Sequence, residues 1–238
     1  MRASSIRARV RAEMTDEIKA IARRHLAEDG ANLSLRAVAR DLGVVSSAIY
    51  RYFPSRDELL TALIIDAYDA LGEAVETAEA AEDRADLFGR WMATCHAVRA
   101  WALATPAEYA LIYGSPVPGY RAPADTIGPA SRPTVVLGAI LADGVAGGAL
   151  RAAPGERMPK PVRTQLRRIG DEAFPGVPEP VLVRGFTAWA TLFGAVSFEL
   201  FGRYQNVIAD VAPFFEYQMR QLAAYVGLDA AGQPASEE

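Results

Sequence analysis

Apolar residues recur along this 238-residue chain at steps of three and four nearly throughout, with polar positions between them, which is the signature of amphipathic helices. Met14, Ile18, Ile21 and Ala22 predict a first helix over about Glu13 to Glu28, closed by Gly30. Ser34 stands as an N-cap before Leu35, Val38 and Leu42, a short helix ended by Gly43. A third short helix is expected from Val45 to Tyr52, stopped by Pro54. Ser55 with Glu58 three residues on reads as a capping box. Beyond it Leu59, Leu60, Leu63, Ile64, Ala67, Tyr68, Leu71 and Val75 mark one face of a long helix. Another helix is expected over 84–104, and a second capping box at Thr105 and Glu108, with Pro106 at the first helical position. Tyr113 to Pro123, rich in glycine and proline, reads as a loop. A helix follows around Ser131 to Gly148, then breaks at 154–161 and 175–180. Leu182, Phe186, Trp189, Phe193, Val196 and Leu200 step by 4, 3, 4, 3 and 4, the α-helical period. Phe215, Met219, Leu222 and Val226 mark the last helix. With β-branched runs short and no internal repeat, the fold class is all-α.

Composition adds limits. Hydrophobic residues make up 51% of the chain, so it has a core to bury and is not disordered as a whole. Its length suits one or two domains. The longest uncharged apolar stretch, Gly185 to Phe198, falls short of the roughly 20 residues a bilayer requires. The N-terminus has arginines but no apolar region behind them, so no secretory signal is read. Cys95 is the single cysteine; it fits a reducing cytoplasm and rules out a disulfide framework within one chain.

Net charge is −4, yet the charges are unevenly spread. Residues 1–57 hold eleven Lys and Arg against seven Asp and Glu, and the remainder holds fourteen against twenty-two. A basic head on an acidic body points to a polyanion partner for the head. Helix, glycine turn and helix make a helix-turn-helix over about 34–53 if the second helix presents a polar face. Val44, Ile49 and Phe53 turn inward at helical spacing, which leaves Ser46, Ser47, Ala48, Tyr50 and Arg51 outside. Small and hydrogen-bonding side chains on an element this short suit a DNA major groove.

The stretch Leu33 to Leu60 resembles the DNA-binding domain of TetR-type transcriptional repressors. The likeness lies in Gly43-Val44, in Ile49-Tyr50 with Tyr52-Phe53, and in Ser55-Arg56 with Glu58-Leu59, and it covers roughly Glu13 to Leu60. Val45 departs from it, standing where a capping Ser is frequent; the cap then shifts to Ser46 or the helix start is less well fixed. The resemblance implies that Ser34, Arg36, Ser46, Ser47, Ala48, Tyr50, Arg51, Tyr52 and Arg56 line double-stranded DNA. Arg36, Ser46, Ser47 and Ala48 would face base edges, and Tyr50, Tyr52 and Arg56 would hold phosphates. Tyr52 reads equally as a packing residue. Arg2, Arg7, Arg9 and Arg11 read either as an arm for the minor groove or as a solvated tail.

Further along, Trp101 to Tyr120 and Trp189 to Tyr204 resemble a WHG-type regulatory domain. Trp189 and Gly194 match its tryptophan and glycine, while Phe193 stands where histidine is usual, which shifts the expected ligand toward an apolar one. The resemblance implies an N-terminal three-helix DNA-binding domain (residues 1–57) and a larger helical ligand-binding and dimerisation domain (58–228), followed by a frayed tail (229–238). A homodimer is implied, with Leu182, Phe186, Val196, Leu200, Phe215, Met219 and Leu222 as its interface. A small apolar or aromatic effector is implied too, with Trp91, His96, Trp101, Tyr109, Tyr113, Trp189 and Phe193 as candidate contacts. Taken singly, each of these aromatics reads as core, and His96 by default as a satisfied core histidine. His25 reads as partly exposed.

Enzyme signatures are missing. No nucleophile elbow, zinc-protease helix or phosphate loop occurs in the sequence. Asp143 to Gly148 is glycine-rich but follows no strand. Cys95 and His96, adjacent on a helix, point about 100° apart. No cofactor or metal is expected. The function read is ligand-responsive transcriptional repression; an activator of the same fold, or a dimeric helical binding protein without operator binding, stays open.

Overall fold

A computed structural model describes residues 2–30, 33–151 and 157–228. Among these the regular elements are helices, in the order α1 Arg2–Asp29, α2 Leu35–Asp41, α3 Ser46–Ile49, α4 Arg56–Ala80, α5 Leu87–Ala104, α6 Pro106–Tyr113, α7 Ile127–Ala146, α8 Lys160–Ala173, α9 Glu179–Leu200 and α10 Val211–Val226. A single 3-10 turn, Ala124–Thr126, precedes α7. The expected tail at 229–238 lies outside the described residues.

The chain divides into two compact units, Met1–Ala70 with Ala104–Ala130, and Leu71–Leu103 with Ser131–Glu238. The boundary expected between 57 and 58 followed the end of the motif. The first unit instead runs well into α4 and recruits α6, and its core gives the reason. Ile18, Ile21 and Leu26 of α1, Leu35 and Val38 of α2, and Ile49 and Phe53 around α3 bury themselves against Leu59, Leu60 and Leu63 of α4. Ala107 and Leu111 of α6, with Val117 and Tyr120 after it, pack on the same cluster. Two polar links join them to this unit: Arg23 to Glu108 at 3.0 Å, and the hydroxyls of Thr61 and Tyr120 at 2.8 Å.

Several helix ends differ from the expectation. α1 begins at Arg2, not near Glu13. Ile6 and Val10 extend the Met14–Ile18 row backwards by fours, so the apolar face was already running there. The four N-terminal arginines therefore belong to a helix and do not form an arm ahead of it. α7 begins at Ile127 and holds Pro133 inside; the proline forfeits one helical hydrogen bond but is buried. Ser55 caps α4 as expected, its Oγ accepting from the Glu58 amide at 3.1 Å. Thr105 makes no such side-chain cap for α6.

In the second unit, Arg90 of α5 is completely buried. Its Nε donates to Glu79 at 2.6 Å and its Nη1 to Asp143 at 2.8 Å and to the Arg84 carbonyl at 3.1 Å. α4, α5 and α7 are thereby tied around one guanidinium. Trp91 beside it donates from Nε1 to the Met219 carbonyl of α10 at 2.9 Å. α9 is long and apolar enough to cross a membrane by length and composition. Here it buries Val181, Leu182, Ala188, Leu192, Ala195 and Val196 within its own unit.

Candidate functional site

The helix-turn-helix is built as its sequence dictates. Ser34 caps α2, its Oγ accepting from the Ala37 amide at 3.5 Å. Gly43, at φ +73°, makes the left-handed turn that a side chain would strain. The cap position before α3 is Val45, which has no side chain able to cap and makes no cap bond; the cap does not shift to Ser46. The α-helical part of α3 is short, Ser46–Ile49, and turns carry the chain on to Tyr52.

Burial sorts the residues of this segment by face. Ile49 and Phe53 are inside, and Val44 packs partly on the same core. Ser47, Tyr50 and Arg51 are exposed, and Ser46 and Ala48 are half-buried beside them. Ser34 and Arg36 of the α2 start are exposed as well. Two of the expected DNA contacts are occupied within the protein. Tyr52 is partly buried against the core of the first unit, with the Arg11 guanidinium 5.2 Å above its ring. Arg56 donates from Nε to the Leu33 carbonyl at 3.2 Å, tying the start of α4 to the start of α2. Arg11 also donates to the Arg51 carbonyl at 3.2 Å, so α1 steadies the exit of α3. Sequence reasoning missed this positioning role because the partners lie 40 residues apart.

His25, expected to be partly exposed, is buried. Its Nε2 lies 2.6 Å from Asp41 Oδ2, which joins the end of α1 to the end of α2. That bond, aided by Arg40, holds the Asp41 carboxyl below its ordinary value of 3.8. A carboxylate with a depressed folded pKa stabilises above its unfolded value and loses the contribution as pH falls through the folded one. Thermal unfolding followed against pH should therefore show an acid-sensitive component below about 3.8, the ordinary value, and Asp41→Asn should remove it. An unchanged acid profile in that variant would contradict the linkage.

The expected effector contacts do not assemble in one place. Tyr109 and Tyr113 belong to the first unit, with ring centroids 5.1 Å apart; Tyr68 meets Tyr113 edge-on at 6.1 Å. Burial pushes the Tyr113 phenol far above its usual range, with Tyr68 and Tyr109 adding to the effect. In the second unit Trp91 is a buried strut. His96 is half exposed and lies 2.7 Å from Glu216 at the surface, not in the core; its position on α5 turns it away from the buried side that Trp91, Met92 and Cys95 share. Trp101 is half-buried. The Trp189 and Phe193 rings meet at a 55° tilt, centroids 5.4 Å apart.

A cavity does exist in that unit, between α7, the end of α8 and α9. Leu137, Leu141, Phe174, Phe186 and Trp189 line it, with Thr134 at its polar edge. Of the expected contacts only Trp189 is there. Phe186, expected at a dimer interface, lines the cavity too. Helical glycines were the available signal: a Cβ at Gly138 would stand 2.1 Å from the Phe174 ring, and one at Gly185 would stand 2.5 Å from Leu141.

Most of the expected interface residues are also internal. Leu182, Val196, Phe215 and Met219 are buried within the single chain. The strongest apolar stripe of each helix goes to the core of its own unit. The other face of α9 and α10 carries Thr187, Thr191, Phe214, Tyr217, Gln221 and Tyr225 around a broad open depression.

Comparisons with known proteins match the chain in two parts. Residues 18–63 match the family of bacterial regulatory proteins of the tetR type. Residues 91–222 match the tetracyclin repressor-like C-terminal domain. The chain belongs to the TetR family. HTH-type transcriptional regulator Rv1816 of Mycobacterium tuberculosis is 42% identical over 218 residues, covering 90% of this chain and 92% of the relative. Mb1846 of Mycobacterium bovis, under the same description, is equally similar. Among solved structures, regulatory protein SCO4313 superposes with a TM-score of 0.75 at 36% identity, covering 91% of this chain and 98% of that one. This TetR-family protein is thus a transcriptional regulator with a DNA-binding helix-turn-helix and a helical ligand-binding domain. Its relatives are regulators, not enzymes.

Proposed function

We propose that this regulator is a repressor that holds a dyad-symmetric operator as a homodimer and is released by a small apolar or aromatic effector. The observation that carries the reading is the division of α3, where Ile49 and Phe53 are buried and Ser47, Tyr50 and Arg51 are exposed. Arg36, Ser46, Ser47 and Ala48 would read base edges. Tyr50 and Arg51 would hold phosphates, with Ser34 at the α2 start. Tyr52 and Arg56 would act mainly by fixing the position of these groups.

The homodimer reading is supported by the second face of α9 and α10, where Tyr217 is 62% and Tyr225 48% exposed. Aromatics of this size on an open surface favour a protein interface. Two heads on such a dimer would meet half-sites about 34–36 Å apart or at a longer multiple. The WHG-type character of the body is supported by Trp189 and Gly194, with apolar Phe193 favouring an apolar ligand. The cytoplasm is the compartment in which this function operates.

Gel shift of the purified protein on the DNA upstream of its own gene, at moderate salt, tests the reading, with sedimentation to give its mass. A dimer that shifts this DNA and not an unrelated fragment is expected. A monomer, or a shift indifferent to sequence, would sink it.

A further inference from the structure

The α7–α9 cavity has a chemistry that narrows what it can take. Its walls are leucine and phenylalanine, and no charged side chain lines it. The residues with polar side-chain groups in its lining are Thr134 and Trp189. Trp189 Nε1 is buried and makes no hydrogen bond among the described residues. Indole N–H is a donor only, and a buried donor without an acceptor is costly. An ionised ligand would lose its hydration here with nothing to replace it.

Size sets the other limit. With Phe174 in place the free space is only about 20 Å³, room for little more than one water, so a ligand enters only if a wall side chain moves. Its innermost part is narrow. Phe174 accounts for this, with its ring laid against the bare backbone of Gly138. Phe174 follows the last turn of α8, is itself half-buried, and is succeeded by Pro175 and by Gly176 at φ +85°. It is a side chain at the end of an element, with solvent to turn into.

We propose that this cavity seats the effector, and that the effector is a neutral, mostly apolar molecule about one ring across, carrying an acceptor to which the Trp189 Nε1–H donates a hydrogen bond as Phe174 turns aside. This rests on the reading of the chain as an effector-controlled regulator and adds the chemical class of the effector and its anchor.

Two compounds of nearly equal shape separate the possibilities: acetophenone, which has a carbonyl acceptor, and ethylbenzene, which has none. Binding of each to the full-length protein, without DNA, is measured by calorimetry. The wild type should prefer acetophenone by roughly two- to tenfold. Trp189→Phe keeps a ring and removes the donor; it should abolish the preference, so that the two compounds bind alike. Phe174→Ala, at the half-buried end of α8, should strengthen both several-fold and keep the preference, with a circular dichroism spectrum like the wild type's. Equal affinities in the wild type, a preference that survives Trp189→Phe, weaker binding in Phe174→Ala, or no binding of either compound at millimolar concentration would overturn the proposal. Gel shift on the same samples keeps the two readings apart. Failure of the compounds with operator binding intact discards the cavity assignment alone. The expected preference without operator binding discards the regulator reading alone.

Discussion

Arg90→Met should destabilise the second unit by about 3–5 kcal/mol, the usual cost of leaving partners of a buried ion pair without their counter-charge. The Arg90 side chain has no solvent exposure, and those of Glu79 and Asp143 have 14% and 31%. Methionine fills the volume but leaves two carboxylates facing an apolar stem. Arg84, whose Nη2 lies 2.6 Å from Asp143, remains as a partial substitute on the exposed side. Melting followed by circular dichroism should fall by roughly 10 °C for a chain of this size. Adding Glu79→Gln and Asp143→Asn to the same variant should recover most of the loss, because the penalty belongs to the stranded charges and not to packing. A fall of only one or two degrees in the single variant would show that the guanidinium is not what ties α4, α5 and α7 together.

Operator binding should separate Arg36 from Arg51. If Arg36 reads a base edge, Arg36→Ala costs about 1–3 kcal/mol per half-site and relaxes the preference at one base pair. A homodimer carries the change twice, so the combined loss reaches several kcal/mol. If Arg51 holds a phosphate, Arg51→Ala weakens every DNA sequence alike and lowers the slope of log affinity against log salt by about one per half-site. Titrations on operator and scrambled DNA at several salt concentrations give both quantities. Affinities within twofold of the wild type for both variants would remove α3 and the α2 start as the reading surface. Arg51 has a second connection, since its carbonyl accepts from Arg11. That bond uses the main chain, so Arg51→Ala leaves it in place and tests the side chain alone.

Local signals explain how much of this molecule could be read without coordinates. Ser34, Gly43 and Ser55 act within three or four residues of themselves, through a cap, a left-handed turn and a cap. Such features need no distant partner, and the head was legible for that reason. The cap expected at Thr105 was of the same local kind, yet the threonine's backbone does not present its hydroxyl to the helix start. The start of α1 was less legible because Ile6 and Val10 continue the row of fours with few strong apolar residues around them.

Reading the body from periodicity fixed the axis of each helix but not its partner. The Leu182–Leu200 stripe is real, and the chain uses it inwardly, burying Leu182 and Val196. Periodicity reports that a face is apolar; it carries no information on whether the neighbour is the same chain or another. His96 shows the same limit in reverse, since a histidine in an apolar helix looks internal until Glu216 of α10 is found beside it at the surface.

The amino-acid order by itself determined the all-helical class, the helix-turn-helix with its inward Ile49 and Phe53, and the basic character of the first 57 residues, because each follows from side chains only a few positions apart. Tertiary structure alone decided that α6 joins the head, that Arg90 is buried between two carboxylates, and that Phe174, Gly138 and Trp189 meet around one cavity. These depend on contacts between residues tens of positions apart, and such contacts are chosen by how whole helices fit, not by any spacing along the chain.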